Sequence, residues 1–289
     1  MAILYVIGNG FDLHYGLKTL PRDFENILMT KRIYNEIDNA NDVLNAYGVN
    51  WSEYEQSLAE LDLDEIENRN LIWPDYLSDH ESDRDGGILN MRMYLDSIDE
   101  AISSALRDMI QAANEEVESR RLLGEHYQKF NHGDAILSFN YTSTVECLFD
   151  LPKDFPILHI HGFYEKSQPL IFGYKLGKDN YERKMRSSAE DGDYYVDQQR
   201  DLIYEFYKGQ KKTIEKTILC DFLNNYCRRI NQIVVLGHSL GQVDSDYMEI
   251  IESMLHPIVW EISWHYSDDI VIVNSQNYSF ASKIRFFNW

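Results

Sequence analysis

Cysteine is scarce in this chain of 289 residues: only Cys147, Cys220 and Cys227 are present. The number is odd and no Cys-x-x-Cys pair occurs, which argues against a disulfide framework or a zinc ribbon. Reduced thiols in the cytoplasm are the expectation. Long apolar runs are also missing. The opening stretch to Ile7 is apolar, but it is too short for a signal sequence or a spanning helix and runs straight into glycine. A soluble protein with no membrane partner is expected. Basic residues are outnumbered 27 to 48, and the formal net charge is −21. Phosphate backbones are gripped chiefly by clustered Lys and Arg, so direct nucleic-acid binding is not expected. The small group Lys208, Lys211, Lys212 and Lys216 reads as a solvated helix face. No internal repeat and no low-complexity tract interrupts the chain.

What is present is a globular composition: 44% hydrophobic, 13% aromatic and 26% charged residues. The length suits one large domain carrying insertions. Ala2 to Ile7 is a continuous apolar run rich in β-branched residues, as expected of a central parallel strand covered on both faces. Gly8-Asn9-Gly10 ends it, and a helical pattern follows over Pro21 to Lys31. Asp134 to Phe139 and Ile157 to His161 read as further strands, with Leu170 to Tyr174 as another. Ile233 to Leu236, Val259 to Trp264 and Ile270 to Val273 follow, and Phe286 and Phe287 fit an edge strand. Met91 to Gln128 carries Met93, Leu95, Ile98, Ile102, Leu106 and Ile110 at helical spacing. Asp79 to Gly87 reads as a loop. Helical spacing returns over about 190–231 and from Tyr247 to Leu255. Alternating strands and helices predict an α/β fold with a mostly parallel, Rossmann-like sheet. The single domain would carry helical insertions at about 32–130 and 176–231.

Four strand ends carry the residues that could do chemistry. Gly8-Asn9-Gly10-Phe11-Asp12 offers glycines after a buried strand, where backbone amides can approach a phosphate. Leu13 stands where the dinucleotide fingerprint wants a third glycine, so that motif is not met. Asn140 follows the strand Leu137-Ser138-Phe139, at the carboxyl end where ligands sit in open parallel sheets; a turn or cap role is the alternative. In Leu158-His159-Ile160-His161-Gly162, alternation puts both histidines on one face. His161 at the strand end suits contact with a substrate, and His159 reads as a satisfied structural ring. No third ligand has metal-site spacing, so no metal is expected. Gly237-His238-Ser239-Leu240-Gly241 fits the G-x-S-x-G elbow of serine hydrolases, with Ser239 as nucleophile. The short remainder offers only Asp244, Asp246, Asp268, Asp269, His256 and His265 as partners, so a ribose- or phosphate-holding turn is preferred.

Taken in order, GNGFD, SFNYT, HIHG and GHSLG resemble the successive nucleotide-binding motifs of the sirtuin domain. GNGFDLHYGLKT, FNYT, HIHG and GHSLGQVDSDYM together are more similar still to the bacterial AbiH family, associated with abortive infection by phage. The resemblance implies an anti-phage effector that hydrolyses NAD at the nicotinamide–ribose bond. It implies His161 as general base and Asn140 as the residue positioning ribose or water. Gly8, Asn9 and Gly10, flanked by Phe11, would face the pyrophosphate. Gly237, His238, Ser239 and Asp244 would hold the adenosine side, and Asp12 could contact the nicotinamide ribose. It further implies a homo-oligomer, a phage trigger and helical insertions that gate the site. Three positions depart from the sirtuin pattern. Thr142 stands where sirtuins carry an Asp two residues after the Asn, Asn9 is the second residue of the glycine loop, and Asp12 replaces the downstream Ser of that loop. With the zinc ribbon also missing, peptide deacylation is not expected. The alternative readings are a catalytically silent nucleotide sensor and a Ser239 hydrolase.

Overall fold

A computed structural model describes residues 2–50, 54–80, 82–121, 130–166, 170–175, 192–265, 270, 273–274 and 277–289. Two compact units emerge. One comprises Met1–Leu20, Met109–Ile171 and Thr213–Trp289; the other comprises Pro21–Asp108 and Phe172–Lys212.

The first unit is built on a six-stranded, all-parallel sheet. Its strands are β1 (Ala2–Ile7), β2 (Ala135–Ser138), β3 (Ile157–His159), β4 (Ile230–Leu236), β5 (Val259–Trp264) and β6 (Ile284–Asn288). They lie in the order β3-β2-β1-β4-β5-β6. This is a Rossmann-like α/β arrangement whose strand order reverses between β1 and β4. The apolar run of β1 is explained by burial on both faces. Leu4 and Val6 join Val235, Trp260 and Ile262 beneath the helices Lys216–Tyr226 and Ser245–Leu255. Tyr5 and Ile7 point the other way, toward Phe11, Leu17, Val145, Leu148 and Phe149. Each such fully buried aliphatic side chain contributes about 1.5–3 kcal/mol.

The second unit is helical. It holds Pro21–Leu28, Ala40–Ala46, Leu63–Asn70 and Tyr194–Gly209, together with the first part of a long helix, Ser82–Arg121. On that helix Leu95, Ile98, Ile102, Leu106 and Ile110 are buried, as their spacing requires, whereas Met93 is 40% exposed. No helix of the described residues is long and apolar enough to cross a membrane.

Several expectations need correction. The long helix begins at Ser82, so most of the Asp79–Gly87 stretch is helical despite its two glycines. Leu170 to Tyr174 forms no strand; Tyr174 makes one isolated bridge with Lys211. Ile270 and Val273 are helical, and residues 271–272 fall outside the described set. Asp268, Asp269, the end of the Met91–Gln128 pattern and residues 176–191 also fall outside it. β4 starts at Ile230, ahead of the expected Ile233, and the helix Lys216–Tyr226 belongs to the sheet unit. Lys212 is not a solvated lysine. It is 4% exposed, and its Nζ lies 3.1 Å from Glu55 Oε1.

One glycine in the sheet unit bears most of the local constraint. Gly237 has φ +63°, and a Cβ there would lie 2.2 Å from the Phe11 backbone nitrogen. Gly237→Ala should therefore cost about 3 kcal/mol or more, through left-handed strain and a backbone clash. Gly86, inside the long helix, would meet nothing within 4 Å. Gly86→Ala should stabilise by about 0.5–1 kcal/mol. Thermal unfolding of the two variants checks the opposite signs.

Candidate functional site

The four motif loops leave the carboxyl ends of adjacent strands β3, β2, β1 and β4, and they touch. The β1 and β4 turns make the closest approach. Gly8 N–H donates to Leu236 O at 3.1 Å, and Gly10 N–H donates to Gly237 O at 2.7 Å. A Cβ on Gly8 would stand 2.7 Å from His238 Cα, and one on Gly10 would stand 2.7 Å from Gly237 Cα. The glycine spacing is thus required by packing of one backbone against another. Phe11 N–H donates to Gly8 O, so the amides of Gly8, Gly10 and Phe11 all have protein partners. The side chains these two turns expose are Asn9 and Ser239. Asn9 Nδ2 donates to Thr19 O at 2.8 Å.

The β2 loop locks onto β1. Asn140, 7% exposed, donates through Nδ2 to Gly8 O at 3.0 Å. That bond fixes the amide's orientation and turns its Oδ1 to the other side. Asp12, on the short helix Asn9–His14, is 1% exposed. Thr142 Oγ1 donates to its Oδ2 at 2.8 Å and Thr144 Oγ1 to its Oδ1 at 2.7 Å. Asp12 is therefore part of the frame that joins the β1 and β2 loops. Burial pushes its carboxyl up to about 6, against the opposing hydrogen bonds from Thr144, Thr142 and Asn140.

The two histidines of HIHG part company. β3 ends at His159, and Gly162 adopts φ +90°, so strand alternation does not carry through to His161. His159 is satisfied on both ring nitrogens. Nδ1–H donates to Asn140 O at 2.9 Å, and Nε2 lies 2.7 Å from Glu146 Oε1. Its ring stacks on Phe163 at 4.1 Å. His161 turns toward the β4 side, where its Nε2 lies 3.3 Å from Asp244 Oδ1. Asp244 Oδ2 is 3.5 Å from His238 Nε2. Phe139 sets its ring edge-on to both imidazoles, with centroids at 5.0 Å and 4.4 Å.

The sequence-derived residues are thus brought together at the switch point. Asp244 stands beside His161. Ser239 is exposed, and among the described residues no hydrogen bond joins it to a histidine. Sequence reasoning misses Thr144, Glu146 and Phe139. The only signal for the first is a second hydroxyl two residues after Thr142, and Phe139 reads simply as core. Among the described residues, no group of three or more His, Cys, Asp or Glu could hold a metal ion. All three cysteines are free, and burial pushes Cys227 up to about 12.

Burial raises the Asp12 carboxyl from 3.8 in the unfolded chain to about 6 in the folded one. The folded state is thus favoured most below pH 4 and loses this contribution, about 3 kcal/mol, as pH rises through 6. Asp12→Asn removes that dependence. Its melting temperature relative to the natural chain should climb from pH 4 to pH 7. A difference that stays flat across that window would contradict the buried-carboxylate account.

A search of curated proteins finds no match. A family model described as Bacteriophage abortive infection AbiH matches residues 4–264, and the chain therefore belongs to the AbiH family.

Proposed function

We propose that this chain is an abortive-infection effector that cleaves NAD between nicotinamide and ribose. Family membership supports the anti-phage role. The observation that carries the chemistry is the fixed Asn140 amide, bonded to Gly8 O beside the switch point, with His161 following the neighbouring strand. A residue that orients and a residue that takes a proton thus share the rim where parallel sheets bind ligands.

A second observation supports the sirtuin likeness. Two of the departures from that pattern, Asp12 and Thr142, are the two ends of one hydrogen bond. Where sirtuins carry a hydroxyl at the first position and a carboxylate at the second, this chain carries the reverse. Both chemical groups are retained, with their places exchanged.

In the reaction, the bond from ribose C1 to the nicotinamide nitrogen breaks and its electron pair leaves with nicotinamide. C1 passes through an oxocarbenium-like state. Water, or a ribose hydroxyl, is held by Asn140 Oδ1. The water oxygen bonds to C1 and its proton passes to His161, giving nicotinamide, ADP-ribose and a proton. The phosphates meet Asn9 and Ser239, the exposed side chains of the two turns, because the Gly8, Gly10 and Phe11 amides are already bonded. Gly237 and His238 shape the adenosine end through the turn they form. His161 is only 3% exposed, so the surrounding loops must part to admit the dinucleotide. That burial suits an enzyme held idle until a phage component acts on it, with self-association as the proposed route to release.

Purified protein should release nicotinamide from NAD slowly alone and faster with extract from infected cells. His161→Ala and Asn140→Ala should each lower the rate by about 100-fold or more. Unchanged turnover in both variants would remove the mechanism. Tight NAD binding without turnover under every condition would favour the sensor reading. Fluorophosphonate labelling lost in Ser239→Ala would favour the hydrolase.

A further inference from the structure

The Asp244 carboxylate lies between two buried imidazoles, one oxygen toward each. Oδ1 is 3.3 Å from His161 Nε2 and Oδ2 is 3.5 Å from His238 Nε2. The His238 ring has a defined tautomer. Leu240 N–H donates to its Nδ1 at 2.9 Å, so the neutral ring carries its proton on Nε2, facing Asp244. A backbone amide thus fixes His238, whose Nε2 stands against the second carboxylate oxygen. The turn that arranges this is unusual in its backbone: Gly237 and the non-glycine Leu240 both adopt positive φ, +63° and +51°, on either side of His238 and Ser239. Leu240 is fully buried, and its carbonyl accepts from the Tyr278 hydroxyl at 2.8 Å. Buried packing therefore holds a strained conformation at this point.

We infer that Asp244 is a positioning residue: with its other oxygen held toward His238, it keeps the His161 proton on Nε2 and leaves Nδ1 as the basic nitrogen. The sequence resemblance assigns Asp244 to the adenosine end; the geometry assigns it to the histidine instead. The inference rests on the reading of His161 as the base. It deepens that reading by naming what orients the ring.

The other groups facing His161 do not supply this role. Phe139 and Tyr141 lie against its ring from the β2 end, at 5.0 Å and 6.3 Å between centroids. Tyr247 lies at 6.0 Å from the helix Ser245–Leu255. Burial pushes Tyr247 up to about 12, so its phenol stays neutral at working pH. Asp246, next to Asp244, acts electrostatically on Tyr247 and Tyr278. Asp244 is the carboxylate placed against the imidazole. In surroundings of low polarity, such a carboxylate favours the protonated ring and holds one tautomer.

The experiment is nitrogen-15 NMR of histidine-labelled full-length protein, which reads tautomer and titration ring by ring without any substrate. In the natural chain, His161 and His238 should both show the Nε2–H form when neutral. In Asp244→Asn, His161 should lose the single tautomer and titrate at lower pH by about one unit. Asp244→Glu should restore part of the shift. In the NAD assay, Asp244→Asn should lower kcat about tenfold or more with little change in KM, and the limb of the pH–rate profile set by the base should move. An Nδ1–H tautomer of His161 in the natural chain overturns the inference, and that spectrum needs no variant to fold. So does a His161 titration unchanged in Asp244→Asn. If the natural chain shows the expected tautomers and shift but no NAD turnover, the positioning role stands and the NAD reading fails.

Discussion

The structure depends on one backbone contact, the hydrogen bond from Gly10 N–H to Gly237 O across the gap between β1 and β4. β1 and β4 are neighbours at the point where strand order reverses, and loops that leave such strands normally diverge and open a crevice. Here they are drawn together. No side chain fits between Gly8 and His238 or between Gly10 and Gly237. Once these turns are joined, the β2 loop closes on them through Asn140 to Gly8 O and through both threonine hydroxyls to Asp12. His161 then reaches Asp244 beyond the β4 turn. The β2 loop thus rests on bonds to the β1 loop, and His161 on its approach to Asp244.

The frame has an electrostatic cost. Asp12 is a carboxylate taken out of water with two hydroxyls and an amide as partners, and its raised titration records that they compensate only in part. An apolar residue there would fold more easily but would not tie two loops together at a defined spacing. The same reasoning applies to Asp244 between two imidazoles. At these strand ends, side-chain geometry governs any chemistry the rim performs.

The strands were legible because burial on both faces writes a continuous apolar run, as in Ala2 to Ile7 and Val259 to Trp264. Where burial is less uniform the pattern misleads. Ile270 and Val273 read as strand yet are helical, and Gly86-Gly87 read as a loop yet continue a long helix, because tertiary packing outweighs local propensity. The four motifs were legible as strand ends, and their convergence follows from parallel topology. Their internal roles were not. Glycine before a helix looks the same whether its neighbour is a phosphate or another glycine. An aspartate ahead of a helix, such as Asp244, looks the same whether it caps that helix or faces a histidine from another strand. Those distinctions are set by contacts between residues far apart in the chain, Gly10 with Gly237 and His161 with Asp244.

We propose that phage infection turns this rim into a dinucleotide-cleaving site. The direct measurement is mass spectrometry of cellular NAD through a phage infection, in cells carrying the natural chain or its Asn140→Ala form. The account predicts that NAD falls and ADP-ribose rises before lysis with the natural chain alone, with protection of the culture lost in the variant. Cultures protected while their NAD stays level would contradict it.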